Sequence, residues 1–161
     1  MRYRFIMMAA LLMLLSAPAE PQENHSRGCS GFETPHGLVI VDRWAWAFFD
    51  PGSTHINDDG KAMLDKFASS YDAPATCPVV VSGHSDLAEA KRDDSSLSRL
   101  RAQTVASYLR DRGLTAPIRV EALGGKDLLV ATPAGVSEPQ NRFVQVWVDD
   151  SGSLPRSSDT R

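Results

Sequence analysis

Residues Val79 to Arg112 read VVVSGHSDLAEAKRDDSSLSRLRAQTVASYLRDR: an apolar run, a Gly-His-Ser-Asp turn, a charged loop and a helix. Val79, Val80, Val81 and Ser82, closed off by Gly83, predict a buried strand whose C-terminal end delivers Asp86 into a loop. From Leu97 onward, Leu97, Leu100, Val105, Tyr108 and Leu109 recur at helical spacing, and Arg101, one turn from Leu97 and Val105, shares their inward face. A guanidinium on that face is costly unless a carboxylate or an anionic ligand meets it. Asp86, at the mouth of the preceding strand, is the expected partner.

On the C-terminal side, Gly113 just past the basic Arg110 and Arg112 stops the helix. Ile118, Val120 and Ala122 alternate as a strand, Gly124-Gly125 opens a loop through Gln140, and Phe143, Val144, Val146 and Val148 mark a last strand. On the N-terminal side, Asn57 or Asp58 caps a helix running to about Tyr71 with Leu64, Phe67, Ala68 and Tyr71 on one face; the prolines between Asp72 and Pro78 break it. A first strand region spans Leu38 to Phe49. Its bulky Trp44, Trp46 and Phe48 alternate with Ala45 and Ala47, and they are expected to form the buried face; exposed, the same stripe would be a carbohydrate-stacking platform. Strand, helix, strand, helix, strand, loop and strand within residues 38–149 predict an α+β fold, a two-layer sandwich of a mixed four-stranded sheet with two main helices on one face.

Arg2 and Arg4 precede an apolar run from Phe5 to Leu15, and Ala17-Pro18-Ala19 supplies small residues at a cleavage site, so residues 1–19 read as a secretory signal peptide too short to span a bilayer. Residues 20–37 are expected to be a flexible arm and 150–161 a disordered, Ser-rich tail. The chain carries 17 basic and 20 acidic residues. Losing Arg2 and Arg4 with the leader leaves a net charge of about −5, without the basic surplus that nucleic-acid binding requires. An exported chain with two cysteines predicts one disulfide, Cys29 to Cys77.

Gly83-His84-Ser85-Asp86, followed by Asp94, Leu97-Ser98, Arg101-Ala102, Val105 and Tyr108-Leu109, resembles the OmpA-like peptidoglycan-binding signature GHTD…NxxLSxxRAxxVxxYL. The resemblance extends from Phe49-Asp50 and Ser53 to Asn141-Arg142 and Val144, where the family has NRRV. It implies the same α+β fold, a periplasmic location with possible outer-membrane association, and non-catalytic binding of peptidoglycan through the diaminopimelate of the stem peptide. It assigns Asp86 to the ligand ammonium and Arg101 to its carboxylate, where a planar fork outperforms the point charge of lysine. Asp94 and Arg142 complete the expected ligand set, Arg142 either as a rim contact or as the partner of a nearby acid. Gly83, His84, Leu97 and Asn141 are expected to support the site. Three positions depart from the pattern: Asp94 replaces Asn, Gly125 replaces Glu, and Phe143 replaces the second arginine of NRRV.

Two other classes compete. A periplasmic interaction module could keep the fold without the ligand, working with an envelope protein partner. A zinc-dependent wall amidase would need His84 as a ligand, yet His25, His36 and His55 show no ligand spacing to it, and neither HExxH nor a nucleophile turn is present. No cofactor or metal is expected.

Overall fold

The structure, a computed structural model, describes residues 33–34, 37–38, 44–71, 77–92 and 95–149. The proposed leader, Cys29, Asp94 and the C-terminal tail lie outside these residues. A two-residue ladder, β1 (Glu33–Thr34) with β2 (Gly37–Leu38), straddles the expected boundary between arm and domain.

The domain is built from β3 (Trp44–Phe48), α1 (Asp58–Ser70), β4 (Val79–His84), α2 (Leu87–Ala90), α3 (Ser96–Asp111), β5 (Ile118–Gly124) and β6 (Phe143–Val148). The sheet order is β3-β6-β4-β5, with β4 and β5 parallel and the other pairs antiparallel, so it is a mixed four-stranded sheet as expected. Its inner face joins Ala45, Ala47, Val79, Val81, Val144 and Val146 to Leu64 and Phe67 of α1 and to Ala102, Val105, Ala106 and Leu109 of α3. Asn57 caps α1 by accepting from the Gly60 N–H at 2.8 Å. At the other end of the layer, Gly113 (φ 89°) closes α3 with paired hydrogen bonds, its own N–H to Arg110 and the Leu114 N–H to Leu109.

Two expectations about faces are corrected. The bulky side of β3 is the outer one: Trp44 is 55% and Phe48 42% exposed, while Ala45 and Ala47 are fully buried. Alternation gives the period but not the side, and here the small residues point inward because α1 lies close. A Cβ built on Gly60 would sit only 3.3 Å from the Cβ of Ala47, leaving no room for an indole between them. Outside, Trp44 stacks on Trp147, and Trp46 packs against Phe48 and Phe143, a surface that Phe143 extends where the family pattern has arginine. Leu100, expected on the inward face of α3, is 51% exposed, since Ser98, Arg101, Ala102, Val105, Ala106 and Leu109 already fill the stripe turned to the sheet.

Candidate functional site

At the C-terminal end of β4 the chain turns from the sheet into the single-turn α2. Gly83 makes this junction possible: a Cβ there would fall on the carbonyl oxygen of Ser98, so only glycine lets the start of α3 lie against the strand. The Ser98 hydroxyl in turn accepts from the Gly124 N–H at 3.1 Å, tying α3 to the end of β5. His84 splits its duties between the two faces. Its ring is buried on the outer side, stacked on Phe143 at 4.0 Å, while its carbonyl faces α3 and accepts from Arg101. Its Nδ1 lies 3.1 Å from the Lys126 carbonyl, an acceptor only, so Nδ1 carries the proton and Nε2 accepts from the Ser82 hydroxyl. Burial pushes the imidazole below its ordinary pKa, against the opposing pull of the Lys126 carbonyl and the charges of Asp127 and Glu121, and keeps it neutral.

The charges pair differently from expectation. Arg101 meets Glu89, not Asp86: its Nη1 donates to Glu89 Oε2 at 2.8 Å and its Nη2 to Oε1 at 2.9 Å. The other three N–H groups donate to the carbonyls of Ser53 (2.9 Å), His84 (3.1 Å) and Asp50 (3.2 Å). All five donors of the guanidinium are therefore used, the side chain is fully buried, and its charged carbon stands 5.3 Å from the Phe49 ring centre. Asp50 and Ser53, part of the motif before the first helix, serve through their main-chain carbonyls.

Asp86 is held by Arg142 instead, Nη1 to Oδ2 at 2.9 Å. The same oxygen accepts from the Ser137 hydroxyl (2.8 Å) and the Glu138 N–H (3.2 Å), while Oδ1 caps α2 by accepting from the Glu89 N–H at 2.8 Å. Burial alone would raise the pKa of this carboxyl, but these hydrogen bonds outweigh it and hold Asp86 below the ordinary carboxylate range. Arg142 is thus buried as the partner of an acid, also donating to the Phe49 carbonyl.

Asn141 clamps the long loop by exchanging two hydrogen bonds with the Val130 backbone, at 2.8 and 2.9 Å. Gly125 faces α2, where a Cβ would come within 2.9 Å of both Ala90 and Leu87, so the family's glutamate has no room at this position. Leu97, half-buried, joins Pro51, Gly52, Glu89 and Arg92 in lining a cleft of about 330 Å³, which reaches Glu89 of the ion pair while Arg101 lies buried behind it. Sequence reasoning missed Glu89, Gly52 and Ser137. One signal for Glu89 was present: Asp86-Leu87-Ala88-Glu89 has the spacing of a helix N-terminal capping pair. Among the described residues no three His, Cys, Asp or Glu side chains converge to hold a metal.

Residues 48–142 match the OmpA family, a span that runs from the end of β3 to the start of β6 and holds every residue of this junction except Phe143. The chain belongs to the OmpA family. Solved structures with the OmpA-like fold align with it at low identity. The OmpA-like domain of FopA1 from Francisella tularensis is 22% identical, covering 67% of this chain and 75% of that one, with a TM-score of 0.54. The peptidoglycan-associated lipoprotein from Burkholderia pseudomallei is 19% identical over 65% of this chain and 90% of that one, with a TM-score of 0.53. The C-terminal domain of Helicobacter pylori MotB is 19% identical over 64% and 81%, also with a TM-score of 0.53. No curated protein matches the chain. Among the described residues no helix is long and apolar enough to cross a membrane.

Proposed function

We propose that this OmpA-family domain binds peptidoglycan without catalysis, in the periplasm, through the diaminopimelate of the stem peptide. The observation that carries the proposal is the state of Arg101. Three main-chain carbonyls hold the guanidinium in one plane and turn its remaining two-pronged edge toward a carboxylate, beside an open cleft. That is a seat for a carboxylate in a fixed orientation, which the end of a diaminopimelate side chain supplies. The ammonium of the same zwitterion falls to Asp86 Oδ1, which accepts one hydrogen bond where Oδ2 accepts three. Support also comes from membership of the OmpA family and from a fold shared with a peptidoglycan-associated lipoprotein.

A protein-interaction module is the alternative, favoured by one observation: Arg101 and Asp86 both already have charged partners within the chain. Co-sedimentation with purified sacculi separates the two, since a module without wall affinity stays in the supernatant. Competition by soluble stem peptides ending in diaminopimelate, its carboxamide or lysine then tests the seat without altering any residue. Diaminopimelate should compete best, because lysine brings no carboxylate to Arg101 and the amide replaces a charge-assisted pair with a neutral contact. Equal potency of all three would refute the zwitterion clamp.

A further inference from the structure

Of the five acceptors around Arg101, three are main-chain carbonyls built into the fold and two belong to a single side chain, Glu89. The Glu89 carboxylate, almost fully buried, completes its own set by accepting from the Gly52 N–H at 2.8 Å. It thus collects a bidentate guanidinium and a main-chain N–H, the donors that any carboxylate seated there would need. Glu89 also lines the cleft beside the seat, so the occupant and the approach to it are the same residue.

We propose that Glu89 is an intramolecular stand-in for the ligand carboxylate, so that the site is self-ligated in this form and binds by exchange. The incoming carboxylate takes Arg101 and the Gly52 N–H as Glu89 leaves them. The identity of that ligand rests on the function proposed above; the self-ligation does not. Arg101 needs an anion whether or not a ligand is present, because three carbonyl acceptors do not neutralise a buried guanidinium. A glutamate tethered in the chain supplies one at high effective concentration. Once displaced, Glu89 has a cation at hand: Arg92, three residues on, is exposed at the cleft rim, and its backbone N–H already bonds the Glu89 carbonyl. The cost of displacement lowers the apparent affinity of the wild-type chain by the fraction of molecules with the seat vacated.

Glu89→Ala empties the seat, and acetate is the simplest probe for it. The thermal midpoint of Glu89→Ala should rise saturably in sodium acetate relative to sodium chloride of equal ionic strength, with no such rise in the wild type. The variant should also bind a soluble diaminopimelate stem peptide at least tenfold more tightly than the wild type. A folded Glu89→Ala that gains nothing from acetate, or that binds the peptide measurably but no more tightly than the wild type does, overturns the proposal. Rescue by acetate with no wall or peptide binding by either chain would keep the self-ligated seat and sink the wall-binding function instead. If Glu89→Ala does not fold even in acetate, Glu89→Gln keeps the shape and leaves one carbonyl on the guanidinium. Tighter peptide binding by Glu89→Gln supports exchange, and equal or weaker binding refutes it.

Discussion

Replacing Arg101 by lysine keeps the charge and most of the stem but removes the fork, and the hydrogen bonds around it set the expected loss. Five N–H groups meet five acceptors: both oxygens of Glu89 and the carbonyls of Asp50, Ser53 and His84. An ammonium offers three donors from one nitrogen, so at least two buried acceptors lose their partner. Each such loss costs about 1–3 kcal/mol, so the two together cost about 2–6 kcal/mol, and Arg101→Lys falls at about 3 kcal/mol, in the lower half of that sum because the ion pair itself survives. For a domain of this size that corresponds to a fall in Tm of roughly 12 °C, at about 4 °C per kcal/mol. Urea unfolding followed by circular dichroism measures it directly, with an unchanged slope showing that the same surface is exposed on unfolding. A loss below about 1 kcal/mol would mean that the three carbonyls do not depend on Arg101, and the picture of a guanidinium locked in plane by the main chain would be wrong.

Gly83→Ala should destabilise by about 3 kcal/mol or prevent folding, because the new methyl meets a backbone carbonyl of α3 that cannot swing aside; a drop in Tm of only a degree or two would contradict the close approach. Stability should decline on acidification in two stages. His84 is kept neutral by burial, so its folded pKa lies below the ordinary 6.5, and the unfolded chain takes up a proton first as pH falls through that value. Asp86, whose folded pKa lies below the ordinary 3.8, adds stability that is present above that value and is lost as pH falls through the lower folded one. His84→Asn should flatten the first stage, read as unfolding free energy against pH, and an unchanged slope would assign that stage to another group. Cys29 and Cys77 should form a disulfide in the exported protein, visible as a mass gain of two hydrogens on reduction, whereas alkylation of both thiols without reductant would exclude it.

The order of elements was legible because each carries its own punctuation: Asn57 at the cap of α1, the prolines that follow it, Gly113 after α3 and the alternation in β5. Which side of β3 faces inward was not legible from alternation. It was set by the pairing of Gly60 with Ala47, two residues far apart in sequence whose smallness has meaning only once the helix is laid on the strand. The seat was half legible in the same sense. Arg101 announces itself as a charge on an apolar face, and of the residues expected near it His84 bonds it through its carbonyl, while Asn141 bonds Val130 and Arg142 bonds Asp86. The pairing is hidden because the stretch after Asp86 reads as a charged loop in the sequence. Four helical residues turn Glu89 back toward α3, while Asp86, used as their cap, is left to Arg142.

The two ion pairs are not independent. Asp86 Oδ1 holds the Glu89 N–H, so the carboxylate paired with Arg142 also fixes the backbone that aims the carboxylate paired with Arg101. The Arg142 pair in turn draws in Ser137 and the long loop before β6, and the Arg101 pair draws in the turn from Asp50 to Ser53 that precedes α1. Removing one acid therefore disturbs the other and leaves a buried arginine without its counter-charge, a change that costs about 3–5 kcal/mol before any ligand is considered. Loss of wall binding in an alanine variant of Asp86 or Arg101 would consequently say little about contact with the ligand. The informative comparisons leave the fold's own charges matched, either by varying the ligand against the wild-type chain or by returning a small carboxylate to the seat that Glu89 occupies.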